Sequence, residues 1–249
     1  MADAAHELRT PVAVLLTQTQ SALVRERPAQ EYRETLAACE RSAQRMRRLI
    51  ESLFELARLQ SGQDMPPMER CDLAALVSES VQHILPLAEA RGIRIMTALS
   101  AAECAVQREH LNQVLTNLLA NAIEYNRDGG EVSVSVGVES GSAVLSIANT
   151  GAGIAEEDLP HVFGRFYRAD KARAGSGVHI GLGLAIAQAI VRAHGGTIGV
   201  ESTPGVLTTF TVRLPLEVGP AAAGRRVTEG AVQQVHPPVL GGAFSNGDA

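Results

Sequence analysis

The chain has 249 residues, 45% of them hydrophobic, and a formal net charge of −5 at pH 7. That length has room for one large domain or two smaller ones, each able to bury a core. The mildly acidic balance excludes an electrostatic case for nucleic acid, no run reaches the ~20 uninterrupted apolar residues of a membrane span, and no signal-peptide pattern opens the chain. A cytoplasmic protein is expected. Cys39, Cys71 and Cys104 lie far apart without metal-ligand spacing, which predicts buried free thiols.

From Ala4 to about Arg25, the residues Leu8, Val12, Leu15, Thr19 and Leu23 recur at three- and four-residue steps, the period of a helix. Its first turns carry His6-Glu7-Leu8-Arg9-Thr10-Pro11. A neutral imidazole can attack a phosphoryl group when a neighbouring carboxylate takes up the developing charge, so His6 is a candidate nucleophile and Glu7 its base. Thr10, four residues on, shares the face of His6, where a hydroxyl can orient a water. Pro11 cannot donate to the Glu7 carbonyl and loosens the helix at this point. Taken alone, the same residues read better as a solvated helix face. A second helix is predicted from about Ala29 to Leu59, with Leu36, Cys39, Ala43, Met46, Ile50, Leu53 and Ala57 as its apolar stripe. Two antiparallel helices cannot bury both stripes alone, which predicts a homodimer closed as a four-helix bundle. Residues 1–61 form this hairpin. Ser61-Gly62-Gln63-Asp64 and Pro66-Pro67 break the period and place a linker over residues 62–71.

Residues 72–216 read as a mixed domain. A helix is predicted over Leu73 to Ala90, a short strand around Ile93 to Thr97, and a helix over Glu109 to Glu124. Val132, Val134, Val136 and Val138 alternate with polar residues before Ser140-Gly141 turns the chain into a strand over Ala143 to Ala148. A helix over Leu182 to Ala193 and strands over Thr197 to Ser202 and Thr208 to Leu214 complete an α+β layering, helices on one face of a largely antiparallel sheet. Residues 217–249 have no period and are expected to be a disordered tail.

In the helix over Glu109 to Glu124, Asn117 and Asn121 share one face, while Leu111, Val114, Leu115, Leu118 and Ala122 form the opposite, buried stripe. Amide oxygens are hard ligands suited to Mg²⁺. Asn149-Thr150-Gly151-Ala152-Gly153-Ile154 follows a strand, and Gly181-Leu182-Gly183-Leu184 opens a helix. Glycines let the backbone approach a ligand, and the helix N-terminus offers N–H groups to phosphate. Between them lies Val162-Phe163-Gly164-Arg165-Phe166-Tyr167-Arg168. Its aromatics can pin a segment of lid-like composition that runs to about Ile180, and Arg168 can reach a terminal phosphate.

The ordered set HELRTP, NQVLTNLLANAIEY, NTGAGI, FGRFYR, GLGLAI and the HGG at His194 to Gly196 resembles the catalytic core of two-component sensor histidine kinases, over about residues 1 to 215. The resemblance implies an α hairpin (half of a dimeric four-helix bundle) plus an α+β two-layer sandwich of the histidine-kinase, gyrase and heat-shock-protein ATPase type. It implies ATP and Mg²⁺ as cofactors, and as partners a second copy of the chain and the receiver domain of a response regulator. Carried over, His6 is the phosphoacceptor, Glu7 the base, and Thr10 the position linked to dephosphorylation of the regulator. Asn121 and Asn117 hold Mg²⁺, and Asn149, Gly151, Gly153 and Ile154 form the adenine box. Tyr125 contacts base or sugar, Phe163, Phe166 and Arg168 belong to the lid-anchoring box, and Gly181, Leu182, Gly183 and Leu184 form the phosphate loop.

Four departures accompany the matches. Asn149 stands where this family usually has Asp, and a neutral acceptor binds the adenine amino group more weakly by roughly 1 kcal/mol. Glu124 replaces a commonly basic residue one turn beyond Asn121, which puts negative charge near the triphosphate. His179 and Ile180 replace small residues before Gly181. Only Met1 to Ala5 precede His6, where relatives carry a sensor, so a truncated or mis-started core is expected. The reading that follows is ATP-dependent phosphorylation of His6 and transfer to an Asp of a response regulator, with phosphatase activity. The alternatives are a kinase-weak dimer that mainly docks and dephosphorylates the regulator, and an ATPase or anti-sigma-type serine kinase, against which the hairpin argues.

Overall fold

The computed structural model describes residues 2–61, 67–168 and 181–216, with the side chains of residues 2–6 left aside. Helix α1 (Ala2–Leu23) and helix α2 (Ala29–Ser61) form the hairpin. Pro11 lies inside α1. The turn between the helices is closed by the Glu31 N–H donating to the Pro28 carbonyl at 3.0 Å. Of the predicted α2 stripe, Leu36, Ala43, Ile50 and Ala57 are exposed, while Cys39, Met46 and Leu53 are half-buried. The fully buried α2 residues are instead Leu49, Leu56 and Leu59, on a second face that packs against the remainder of the chain.

After α2 come β1 (Glu69–Asp72), α3 (Leu73–Glu89), β2 (Arg94–Leu99), β3 (Glu103–Val106) and α4 (Arg108–Glu124). Then follow β4 (Glu131–Glu139), β5 (Ser142–Asn149), a 3-10 turn over Leu159–His161, α5 (Gly183–Ala193), β6 (Thr197–Thr203) and β7 (Leu207–Pro215). The main sheet runs in the order β2-β4-β5-β7-β6. It is antiparallel except for β2 beside β4, as a largely antiparallel sheet was expected to be. Val132, Val134 and Val136 point into the core and Ser133 and Ser135 point out, while Val138 at the strand's end is exposed. Leu145, Ile147, Phe210 and Val212 continue the inner face, against which α3, α4 and α5 lay their apolar stripes. The result is two layers with one sheet face left open, the usual division for antiparallel sheets.

Two strands have no counterpart in the sequence reading. β1 and β3 pair antiparallel as a separate two-stranded sheet, and the first three residues of β1, 69–71, are ones the sequence assigns to the linker. The Asp72 carboxylate caps α3 by accepting from the Ala74 N–H at 3.0 Å and also accepts from the Ala102 N–H at 3.2 Å, which fixes where this small sheet meets the helix. Of the three free cysteines, only Cys104 is buried; Cys39 and Cys71 are half-buried. Among the described residues no helix is long and apolar enough to cross a membrane. The expected tail over residues 217–249 lies outside the described residues.

Candidate nucleotide site

A cavity of about 380 Å³ opens between α4, the loop after β5, and the start of α5. The α4 helix supplies Asn117 and Asn121 to its wall, and its C-cap supplies Tyr125; the 3.6-residue period turns the two amides away from the buried Leu111–Leu118 stripe. Asn117 is already engaged: its amide nitrogen donates to the Gly183 carbonyl at 3.0 Å, leaving its amide oxygen as the atom that can face a ligand. Asn121 stands one turn further on, also in the wall. Among the described residues no cluster of three or more His, Cys, Asp or Glu could hold a metal, so amide oxygens are the donor set on offer. They suit a hard ion that retains waters and phosphate oxygens.

Asn149 ends β5 almost fully buried. Its amide nitrogen donates to the Thr150 carbonyl at 2.9 Å, which fixes the side chain in the wall with its oxygen as the free acceptor. Opposite it in the β5–β7 register stands Thr208, also buried and also in the wall. The Thr208 hydroxyl is 2.8 Å from the Ser202 hydroxyl, which in turn accepts from the Ile154 N–H at 2.9 Å. Thr208 was not singled out from sequence. Only the strand register, a long-range property, brings it beside Asn149.

The glycines of this loop act through the space they leave. Gly153 has φ +78, and a Cβ there would lie 2.6 Å from the Pro204 Cα, so the loop nests against the β6–β7 turn only because it lacks one. Gly151 does not line the cavity. It lies against the Tyr125 carbonyl, which a Cβ would meet at 2.2 Å, and thereby docks the loop on the end of α4.

Gly181, Gly183 and Leu184 line the cavity, while Leu182 is buried behind it. Leu182 is the N-cap of α5 and makes no side-chain capping bond. The first N–H groups of α5 are therefore available at the cavity wall, an anion-binding arrangement. Phe163 and Phe166 do not line the cavity either. Phe163 packs edge-on against Phe210, ring centroids 6.3 Å apart. Phe166 has φ +63 and its N–H donates to the Gly181 carbonyl at 2.8 Å, so it draws together the two ends of the segment over residues 169–180. His179 and Ile180 fall in that segment, outside the described residues. Arg168 and Arg127 are the guanidinium groups of the wall. Glu124 is absent from the described lining; its backbone carbonyl accepts from Arg91 at 2.9 Å.

The far ends of α4 and α5 are joined as well. The buried His194 takes the Gln107 N–H on Nε2 at 3.0 Å and meets the Ile190 carbonyl through Nδ1 at 2.8 Å. A carbonyl can only accept, so Nδ1 carries the proton and the ring is neutral. Burial depresses its pKa, against the Ile190 bond, and the nearby His110 depresses it further.

No residue of α1 belongs to the described wall. Glu7 lies 3.7 Å from Arg45 of α2, a partner that the sequence reading did not assign. Thr10 is exposed and borders a shallow groove with Arg9, Ala13, Val14, Thr17 and Gln18. The hairpin residues and the nucleotide cavity are thus two separate places in this conformation. They are bridged structurally by Leu49, Leu56 and Leu59 of α2 and by Gln113 donating to Glu55 at 2.8 Å.

Residues 1–62 match the family model of the His Kinase A (phospho-acceptor) domain, and residues 106–218 that of the histidine kinase-, DNA gyrase B- and HSP90-like ATPase. The chain belongs to the histidine kinase family. This histidine kinase core is 36% identical over 211 residues to the sensor protein IrlS of Burkholderia pseudomallei, an alignment covering 85% of this chain and 45% of that protein. The Acinetobacter baumannii histidine kinase AdeS superposes with a TM-score of 0.66 at 27% identity, covering 85% of this chain and 98% of that one. Full-length ShkA in complex with AMPPNP superposes at 0.65 with 25% identity, over 86% of this chain and 45% of that one. The chain spans about half the length of the curated relatives it matches. The ATPase family implies ATP binding.

Proposed function

We propose that this chain phosphorylates itself on His6 from ATP and passes the phosphoryl group to an Asp in the receiver domain of a response regulator, as a cytoplasmic homodimer. The observation that carries the reading is the cavity in which the α4 amides, buried Asn149 and the uncapped start of α5 converge. Asn149 and Thr208 offer a buried acceptor and hydroxyl to the adenine amino edge, and Tyr125, Gly153 and Ile154 flank the base. The free N–H groups of α5, with Arg168 and Arg127, meet the phosphates. Asn121 and the remaining oxygen of Asn117 would hold Mg²⁺, which supplies charge neutralisation at the β- and γ-phosphates.

His6 attacks the γ-phosphorus through an unprotonated ring nitrogen; a P–N bond forms, the bond to the bridging oxygen breaks, and ADP leaves. Glu7 stabilises the resulting imidazolium, and Arg45 holds Glu7 in place. Because no described α1 residue lines the cavity, transfer requires the ATP-binding sandwich to move relative to the hairpin. The open apolar residues of the hairpin support pairing with a second copy. Exposed Thr10 beside a shallow groove supports a second activity on the same hairpin, orienting a water against the phosphorylated regulator.

Incubation with γ-labelled ATP and Mg²⁺ tests the proposal. Label should enter the wild-type chain, be absent from His6→Ala, and be absent from Asn121→Ala. Equal labelling of wild type and His6→Ala would overturn it.

A further inference from the structure

Cys71 and Cys104, 33 residues apart in sequence, stand directly opposite one another in the β1–β3 ladder. Opposed residues of an antiparallel pair have Cα atoms about 4.5–5.5 Å apart, within the roughly 4.4–6.8 Å that a disulfide spans. Their side chains leave the same face of the small sheet. The Cys104 sulfur lies 3.9 Å from the Cys71 carbonyl oxygen.

The two thiols are unequal. Cys104 is buried, whereas Cys71 is half-buried with the positive charge of Arg108 nearby. Burial pushes both up, Cys104 to about 11, and Cys71 and Asp72 add to the effect at Cys104. At Cys71, Arg108 pulls the other way, against smaller contributions from Glu69 and Asp72. Cys71 is thus the sulfur that an outside reagent meets first, and Cys104 the one placed to resolve it.

We propose that Cys71 and Cys104 form a reversible thiol–disulfide site that responds to low-molecular-weight disulfides. The Cys71 thiolate attacks one sulfur of oxidised glutathione; that S–S bond breaks, and one glutathione leaves with the proton Cys71 gave up. Cys104 then releases its proton to solvent, its sulfur attacks the Cys71 sulfur, and the second glutathione departs as a thiol. Two protein thiols are oxidised by two electrons and one small disulfide is reduced. In a reducing compartment such a bond is transient and sensory. β1 is the first element after α2, so the bond staples the strand through which the hairpin enters the sandwich.

The test uses the full chain carrying Cys39→Ser, which leaves only these two thiols. After oxidised glutathione, quenching with an alkylating agent and mass measurement should find a monomer lighter by two hydrogens and unalkylated. Proteolysis should yield one peptide pair joined through Cys71 and Cys104, dithiothreitol should reverse it, and Tm should rise on oxidation. Cys71→Ser and Cys104→Ala should each abolish the linkage; the second, apolar replacement suits the buried position. Two alkylated cysteines, a lasting glutathione adduct on Cys71 with Cys104 still alkylated, or a bond only between chains would each overturn the proposal.

Discussion

In the sandwich, Leu115, Leu118 and Ile147 are completely buried, whereas in the hairpin Leu36, Phe54 and Leu23 stand 67%, 73% and 86% exposed. Both regions contain helices with apolar stripes, yet only one closes its stripes within a single chain. α4 and α5 lie on a sheet that covers them. α1 and α2 have only each other, apart from the second α2 face that Leu49, Leu56 and Leu59 lay against the sandwich. The sandwich carries its own stability, while the hairpin leaves apolar residues open that the proposed second copy would cover.

The contrast can be broken most forcefully in the core. Leu118→Ala should cost about 2–5 kcal/mol, read as a lower denaturant midpoint at unchanged slope. A loss confined to subunit association would contradict the assignment of Leu118 to a self-sufficient core. Phe54→Glu and Ile50→Glu should do the reverse, leaving unfolding of the sandwich unchanged while shifting the chain towards monomer in sedimentation experiments. A dimer that survives both places the interface elsewhere. Arg45→Ala removes a partly exposed ion pair worth at most about 1 kcal/mol. It should slow His6 labelling roughly fivefold and leave the affinity for ATP unchanged, with Arg45→Lys recovering part of the rate. Asn149→Asp should tighten ATP binding by a comparable few-fold, since a charged acceptor is worth roughly 1 kcal/mol more than a neutral one; calorimetric titration reads this directly.

The smallest effect concerns pH. The depressed pKa of His194 means that the unfolded chain takes up its proton first. The contribution of His194 is therefore complete above the ordinary histidine value of about 6.5 and declines as the pH falls below it towards the folded value. His194→Gln should flatten that part of the stability profile. His110, depressed by burial and by Arg58, moves in the same direction.

Much of this was legible in the sequence, for identifiable reasons. The alternation of Val132, Val134 and Val136 and the three- and four-residue steps of α4 are local, and local periods survive folding. The residues that build the cavity wall came from motifs whose glycines and amides keep their meaning out of context. β1 escaped because Glu69-Arg70-Cys71-Asp72 follows two prolines and has no alternation; it exists because Glu103–Val106 lies beside it. Thr208 and the Arg45–Glu7 pair escaped for the same reason, each made by residues distant in the chain. The α2 stripe was read as one face. A second face, carried by Leu49, Leu56 and Leu59, is used only because another domain is there to meet it.

The two crossings between α4 and α5 have a consequence for how damage would present itself. Asn117 to Gly183 and Gln107 to His194 fasten the same pair of helices with about 15 Å of α4 between them. Together they act as a spacer that sets the width of the gap a triphosphate must fit. A change at His194, which does not line the cavity, would then surface as an altered preference among nucleotides as well as a loosened fold, and a screen for nucleotide specificity would find it there.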